Sequence, residues 1–251
     1  MFETLRAYQG EVFALDLHLE RLSASAHTLG WTLPQLLTTL RREIRRMARR
    51  FPHTDAAIRV MVLPQQARAP RPEVVVMGRA LHPYPRRWYT DGVTVMTTVG
   101  HRYSVPTITP QAKHTDLVPG ILAWSQRPDA AVELIYRTTD GWVGEGTISN
   151  VCLITHEREL WSAPPATGVL AGVTCHILCH VAPEVGLTTR WEPFTRHQVW
   201  QAAEVFVANT TFEVLPVVRY DGRVIGAGRP GAWTQQLHAA FRRHVRTEQS
   251  A

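Results

Sequence analysis

The sequence predicts an α+β fold of two lobes, and three observations carry that expectation. Strand-like alternation and helical periodicity both occur along the 251 residues, but not in the regular βαβ order of a doubly wound sheet. A polar stretch broken by Pro106 and Pro110, HRYSVPTITPQAK, separates two such mixed regions and reads as a crossover. A chain of this length also fits two modest lobes sharing a cleft. The expected boundary lies near residue 105, with a small N-terminal lobe over 1–105 and a larger C-terminal lobe over 106–251.

In the first lobe, FETLRAYQGEVFAL alternates around a Gly turn and predicts a hairpin. HLERLSASAHTLG predicts a helix ending at Gly30, and LPQLLTTLRREIRRMARRF a second helix. AAIRVMVLP reads as a strand closed by Pro64. A Pro-rich loop, PQQARAPRP, leads to the strand EVVVMGRAL, a turn region HPYPRRWYTDG, and the strand VTVMTTV. In the second lobe LVPGILAWSQ predicts a helix. AVELIYRT and GWVGEGTISNVCLI predict strands joined by the turn TTDG. TGVLAGVT is a Gly turn entering the helix CHILCHVAPEV. The strand AEVFVANT, the short strand VLPVVRYDGRVI and a terminal helix complete the chain.

Composition excludes several classes. The opening MFETLRAYQG lacks a basic-then-apolar leader, and no apolar run approaches the ~20 residues of a membrane span. Three cysteines are too few for a disulfide framework, which points to a reducing cytoplasm. The net charge of +6 is concentrated in RREIRRMARR at 41–50. There Arg41, Arg45 and Arg49 share one helical stripe, and Leu40, Ile44, Met47 and Ala48 supply the apolar side. That pattern is a solvated basic face, not a nucleic-acid surface, because aromatic platforms and zinc-finger spacing are missing.

Four stretches carry candidate chemistry. Lys113, in QAKHTDLVPG, is the single lysine among 27 basic Lys and Arg residues. A lone loop lysine is ordinarily a solvated cation, and an arginine-rich composition makes lysine scarce. A primary amine nevertheless forms a Schiff base with a carbonyl, which a guanidinium does not. In GWVGEGTISN, Glu145 stands between Gly144 and Gly146. Such a carboxylate either sits exposed at a bulge or approaches a flat ligand and keeps a ring nitrogen protonated. In GVLAGVTCHIL a Gly turn enters a helix, so the N–H groups of Val173 and Thr174 face an anion, or Thr174 is simply an N-cap. In FVANTTFEVLPVV, Asn209, Thr210 and Thr211 either offer hydroxyls to an anion or form a turn held by its own side chains.

With all four in order, the sequence resembles the fold-type IV, or class-IV, pyridoxal-phosphate aminotransferases. This family includes branched-chain and D-amino-acid aminotransferases and aminodeoxychorismate lyase. FETLRAYQG with HLERL resembles the family's opening, AK its lysine segment, EGTISN its glutamate segment, and AGVT and NTTFEVLPV its phosphate-binding turns. The resemblance implies a two-lobed fold with pyridoxal 5'-phosphate in the cleft. It makes Lys113 the Schiff-base lysine and the proton shuttle between substrate α-carbon and cofactor C4′. Glu145 would pair with the pyridine nitrogen. Arg21, the backbone of Val173 and Thr174, and the Thr210 hydroxyl would hold the phosphate. Phe2 matches an aromatic position beside the cofactor and Thr211 a position near the substrate carboxylate. Arg59 matches a substrate-side strand position, or is an arginine solvated at a strand edge.

The implied activity is transfer of an amino group between an amino acid and a 2-oxo acid through a pyridoxamine intermediate. Expected partners are those small molecules and a second copy in a homodimer, with no nucleic acid and no membrane. PQQARAPRP, with Arg68 and Arg71, is a candidate loop for completing the partner's pocket. Aminodeoxychorismate lyase, forming 4-aminobenzoate and pyruvate, is the alternative activity. A basic binding protein that keeps the fold without the chemistry is the second. Two features depart from the family. Its members usually carry a further strand and a Gly-Asp-Gly stretch ahead of FET, and often have arginine where this chain has Cys175. CHILCH puts Cys175 with Cys179, and His176 with His180, at i,i+4. Buried packing of both pairs is expected there, with no metal.

Overall fold

The computed structural model describes residues 1–64, 72–101, 112–115 and 118–249. Arg68 and Arg71 of the Pro-rich loop, and most of the proposed crossover, lie outside them. Contacts divide the chain into two compact units: Met1–Pro83 with Ala112–Thr115 and Val245–Ala251, and Tyr84–Gln111 with Asp116–His244. The sequence expectation placed one boundary near 105. The compact units instead change at residue 84, and Ala112–Thr115 and the C-terminal end return to the first.

The first unit is a four-stranded antiparallel sheet carrying two helices. Strand β1 (Phe2–Tyr8) pairs with β2 (Glu11–Val12) through Tyr8↔Glu11. The two residues between them, Gln9 and Gly10, both have positive φ (50° and 93°), as a two-residue hairpin turn matched to strand twist requires. Helix α1 (Leu15–Thr28) starts three residues before the predicted HLERL stretch, with Asp16 in its first turn. Helix α2 (Pro34–Ala48) begins with proline, whose missing N–H costs nothing in a first turn. Strands β3 (Ala56–Pro64) and β4 (Pro72–Ala80) complete the order β2-β1-β3-β4. Alternation puts Leu5 and Ala7 of β1 and Ile58, Val60 and Val62 of β3 into one core with Leu19, Leu22, Leu40 and Ile44 of the helices. Phe2, Thr4, Arg59 and Met61, paired across β1 and β3, share the opposite face.

The second unit is built on a nine-stranded mixed sheet. The region expected as a turn around Arg86 holds a short helix α3 (Arg86–Thr90), followed by β5 (Val93–His101). Helix α4 (Val118–Ser125) and strand β6 (Ala131–Arg137) follow as expected. The stretch expected as one strand divides into β7 (Val143–Gly146) and β8 (Asn150–Ile154), separated by Thr147–Ser149. Then come β9 (Glu159–Ser162), α5 (Val173–Val181), β10 (Thr188–Trp191), α6 (Arg196–Gln201) and β11 (Glu204–Asn209). Strands β12 (Glu213–Tyr220) and β13 (Arg223–Val224) and helix α7 (Ala232–Gln249) end the chain. The strand order is β10-β9-β8-β11-β12-β5-β6-β7, with β13 on β12. Strand β5 is parallel to both neighbours, while β8, β11 and β12 run antiparallel in sequence. Val95, Ile135, Val151, Leu153, Val205, Val207 and Leu215 from these strands form the core.

Candidate active site

In the first unit, β1 and α1 build a polar cluster out of an otherwise apolar interface. Glu3 points to the helix side of the sheet and is 1% exposed. Its carboxylate accepts from Arg21 Nε at 2.8 Å and Nη2 at 2.7 Å, a two-pronged pair that fixes the guanidinium plane. His18 Nδ1, one helical turn earlier, lies 2.9 Å from Glu3 Oε2. Burial pushes the Glu3 carboxyl up, but the Arg21 charge beside it and hydrogen bonds from Arg21 and His18 outweigh that and hold it at about 2. Burial pushes His18 down against the pull of Glu3. An ionised Glu3 only accepts, so a neutral His18 carries its hydrogen on Nδ1.

Lys113 joins this cluster by its backbone. Its N–H donates to Ser25 Oγ at 3.1 Å, and its carbonyl accepts from Phe2 N–H at 2.9 Å. The Phe2 ring has Lys113 Nζ 4.9 Å and Arg59 Cζ 4.8 Å from its centroid. The predicted residues Phe2, Arg59 and Lys113 therefore converge on one ring, a cation–π arrangement on both sides of the choice between amine and guanidinium. Arg59 is solvent-exposed on its strand, and Arg21 pairs with Glu3, the residue next to Phe2 on β1.

In the second unit Glu145 of β7 is 4% exposed. Its Oε2 accepts from Leu170 N–H at 2.8 Å and lies 3.5 Å from Asn150 Nδ2, which donates to the Leu170 carbonyl at 2.9 Å. Glu145 and Asn150 thus fasten the loop that enters α5. The glycines here answer to protein packing. A Cβ on Gly144 would sit 2.9 Å from the Tyr136 carbonyl oxygen, and one on Gly146 2.2 Å from Ser149 Oγ. One on Gly172 would be 1.9 Å from Asn150 Oδ1. Of the two readings open for Gly144 and Gly146, a bulge or close approach to a flat ligand, these contacts supply a packing reason that holds without a ligand.

Gly172, not Thr174, is the N-cap of α5, and no side chain caps it. Val173 and Thr174 are buried first-turn residues at 7% and 5% exposure. In the turn after β11, Asn209 Oδ1 accepts from Thr211 N–H at 2.8 Å, Thr211 Oγ1 at 3.1 Å and Phe212 N–H at 2.9 Å. Thr211 Oγ1 also lies 2.8 Å from the Tyr84 hydroxyl, and Asn209 Nδ2 donates to the Ile148 carbonyl at 3.2 Å. The turn is held by its own side chains, with Thr210 half-buried at its tip.

Residues missed from sequence include Glu3, His18, Ser25, Asn150 and Glu133. Glu133 is 2% exposed and organises Thr147–Ser149 from beneath. It accepts from Leu134 N–H, Thr147 N–H and Oγ1, Ile148 N–H and Ser149 Oγ at 2.6–3.3 Å. A carboxylate inside the apolar run AVELIY was the available signal. The i,i+4 pairs of CHILCH split. Cys175 and Cys179 are buried, as expected, but His176 and His180 are exposed, because they occupy the one stripe of α5 left to solvent. Cys175 Sγ lies 3.5 Å from Cys152 Sγ and 3.1 Å from Ser162 Oγ. Hydrogen bonding to Cys175, then burial, pushes Cys152 and Cys179 up. Among the described residues no group of three His, Cys, Asp or Glu side chains could hold a metal.

Taken unit by unit, these donors have the chemistry that suits pyridoxal phosphate. An amine and a two-pronged arginine stand in one unit, and a buried carboxylate and a helix N-terminus free of side-chain capping in the other. The uncapped start of α5 is the kind of end that takes a phosphate.

Residues 1–220 match the amino-transferase class IV family. A putative branched-chain-amino-acid aminotransferase of Methanocaldococcus jannaschii is 29% identical over 258 residues, covering 99% of this chain and 87% of the relative. The D-alanine aminotransferase of Bacillus licheniformis is 26% identical, covering 99% and 88%. Among solved structures, the Escherichia coli branched-chain amino acid aminotransferase superposes with a TM-score of 0.88 at 25% identity, over 98% of this chain and 85% of that one. The 4-amino-4-deoxychorismate lyase of Pseudomonas aeruginosa, at 24% identity and a TM-score of 0.84 over 97% and 90%, shares the fold. The chain belongs to the class IV aminotransferase family, and its cofactor is pyridoxal phosphate.

Proposed function

We propose that this aminotransferase uses Lys113 both to hold pyridoxal phosphate covalently and to carry the proton of the transferred amino group's carbon. The observation that carries the proposal is the placement of Lys113. The sole lysine of the chain is tied by its own N–H and C=O, with its amine against Phe2. When bound, pyridoxal phosphate supplies an electron sink for negative charge at the substrate α-carbon. With the cofactor bound, Lys113 Nζ would be the base that takes the proton from the substrate α-carbon and the acid that gives it back. Glu145 keeps the pyridine nitrogen protonated. Arg21, the N–H groups of Val173 and Thr174 and the Thr210 hydroxyl hold the phosphate. The Glu3 pair supports Arg21 in this role, because a guanidinium already fixed in plane loses little entropy on meeting an anion. Phe2 would pack beside the cofactor, Thr211 would stand near the substrate carboxylate, and Arg59 would lie on the substrate side.

Two finer statements belong to the same proposal. A homodimer draws support from Val118, Ile121 and Leu122 of α4 and Ile148, which are 60%, 63%, 55% and 56% exposed, an apolar patch of the kind that marks association. Light scattering should give the mass of two chains; the mass of one would overturn this. Residence in a reducing cytoplasm accords with three free thiols. No helix among the described residues is long and apolar enough to cross a membrane.

The deciding experiment adds pyridoxal phosphate, follows the visible band, and fixes the linkage with borohydride. The added mass should map to the Lys113 peptide and be absent from Lys113→Ala. An amino acid alone, from a panel of L and D forms, should then convert the bound cofactor to its amine form. A protein that stays colourless sinks the proposal. Pyruvate release from aminodeoxychorismate, with no conversion by any amino acid, would transfer it to lyase chemistry.

A further inference from the structure

We infer that Ser25 is a positioning residue for Lys113. Its hydroxyl oxygen fixes the lysine backbone, and through it the reach of the amine. The inference rests on Lys113 being the cofactor-linking residue.

Ala112–Thr115 is neither helix nor strand, so no secondary-structure ladder sets the conformation of Lys113. Two long-range bonds do that work. Lys113 N–H donates to Ser25 Oγ, 88 residues away in sequence, and its carbonyl accepts from Phe2 N–H. A residue held at both its N–H and its C=O has a fixed Cα–Cβ direction, which leaves only side-chain torsions to place Nζ. Ser25 suits the task because it is buried, at 1% exposure, on the inner face of α1. Its oxygen accepts the lysine N–H while its own hydrogen can turn back along the helix.

The same helix face ties this anchor to the charged cluster. His18, Arg21 and Ser25 lie at i, i+3 and i+7, and the first two bind Glu3. Strand β1 repeats the arrangement with consecutive residues: Phe2 N–H holds Lys113, and the Glu3 side chain holds Arg21. Ser25 stands four residues beyond Arg21, about 6 Å along the helix axis. One turn of α1 therefore sets the separation between the anchor of the amine and the root of the guanidinium. If Arg21 and Lys113 hold opposite ends of one cofactor, that separation must match the ligand, and Ser25 is the residue that enforces it. Ser23, two residues earlier, faces elsewhere and serves as the control.

The test compares Ser25→Ala, Ser25→Thr and Ser23→Ala with the parent protein. In the cofactor-free protein, hydrogen exchange of the peptide containing Lys113 should accelerate in Ser25→Ala while the β1 and β3 peptides stay protected. Covalent attachment of pyridoxal phosphate, followed by borohydride trapping, should slow by roughly 10- to 100-fold, the scale of a misplaced reacting group. In the half-reaction kcat should fall with it, with KM for the amino acid changed less than about twofold. Ser25→Thr keeps the oxygen and should recover both exchange protection and attachment rate. Ser23→Ala should match the parent. Unchanged exchange and attachment in folded Ser25→Ala would overturn the inference. Should Ser25→Ala fail to fold, Ser25→Thr decides: parental exchange and attachment rates support the anchor, and slow attachment with normal protection overturns it. If borohydride places the cofactor nowhere on Lys113 in the parent, the reading of Lys113 fails first. If it labels Lys113 at the same rate in both proteins, only the Ser25 inference fails.

Discussion

Glu133 shows how much a single side chain can organise. Its carboxylate gathers five donors, four of them from Thr147, Ile148 and Ser149, so the break between β7 and β8 is shaped from beneath. Burial pushes this carboxyl up and the donors pull it back. Replacing it by alanine strands buried donors, and we expect a loss of about 3 kcal/mol in denaturant unfolding, with Glu133→Gln less affected. An alanine variant with the parental midpoint would show that water replaces the carboxylate at no cost. Gly172 makes the complementary prediction. Its φ of −71° suits any residue, yet a methyl there collides with Asn150. Gly172→Ala should push the Asn150 amide off the Leu170 carbonyl and weaken cofactor binding by roughly tenfold, through an overpacking cost of about 1–2 kcal/mol. A visible titration reads it, and an unchanged dissociation constant would remove Asn150 from the argument.

At the scale of elements, long periodic stretches were legible and short ones were not. The β1–β2 hairpin, α1, α2, β3 and β4 follow directly from alternation, helical spacing and their Gly and Pro boundaries. Helix α6 was missed, although Thr195 and Gln198 form a reciprocal capping box, with the Thr195 side chain accepting from Gln198 N–H. Its six residues give too little periodicity for the cap to be noticed. Strands β9 and β10 pair in parallel at the sheet edge over four residues each, and Thr188–Trp191 is exposed throughout, so no alternation marks it. Lys113 and Glu145 stand out in the sequence as candidates because their chemistry is rare in composition or position. Ser25 and Glu3 were not, because a helix serine and a strand glutamate acquire meaning only from partners distant in sequence. The turn after β11 carries its own prediction. Asn209→Ala removes one acceptor serving three donors, and should loosen Thr210 and Thr211 enough to raise the cofactor dissociation constant about tenfold, for a cost of about 1–2 kcal/mol. Stability to urea should change far less than affinity; the reverse pattern would make the turn purely structural.

For the molecule as a whole, acid stability should be set by the Glu3 cluster. Glu3 titrates at about 2 in the folded chain against an ordinary value of 4.5, so the unfolded chain takes up its proton first as pH falls. Its contribution, about 3 kcal/mol, is complete above roughly pH 5 and is lost between about pH 4.5 and 2. His18 acts in the same direction: burial holds it below its ordinary value of 6.5, so the unfolded chain also gains that proton first, starting below about pH 6.5. Urea midpoints should therefore decline gently below pH 6.5 and steeply below 4.5, and Glu3→Gln should flatten the steep part. A midpoint that rises on acidification would contradict both assignments. The two-lobed α+β class was legible from the order of elements, but the discontinuous units were not. Local pattern does not reveal that Ala112–Thr115 belongs with the first unit.

The strand order has a consequence for synthesis. Every strand of the first sheet is encoded within the first 80 residues, so that sheet can pair while the rest of the chain is still being made. Strand β5 cannot. One of its edges waits for β6, and the other for β12, which begins at Glu213. Until the ribosome has delivered that segment, an apolar strand with unpaired backbone is open to strangers. Crowding at that stage, more than any weakness of the finished fold, sets where the nascent chain is most exposed to misassembly.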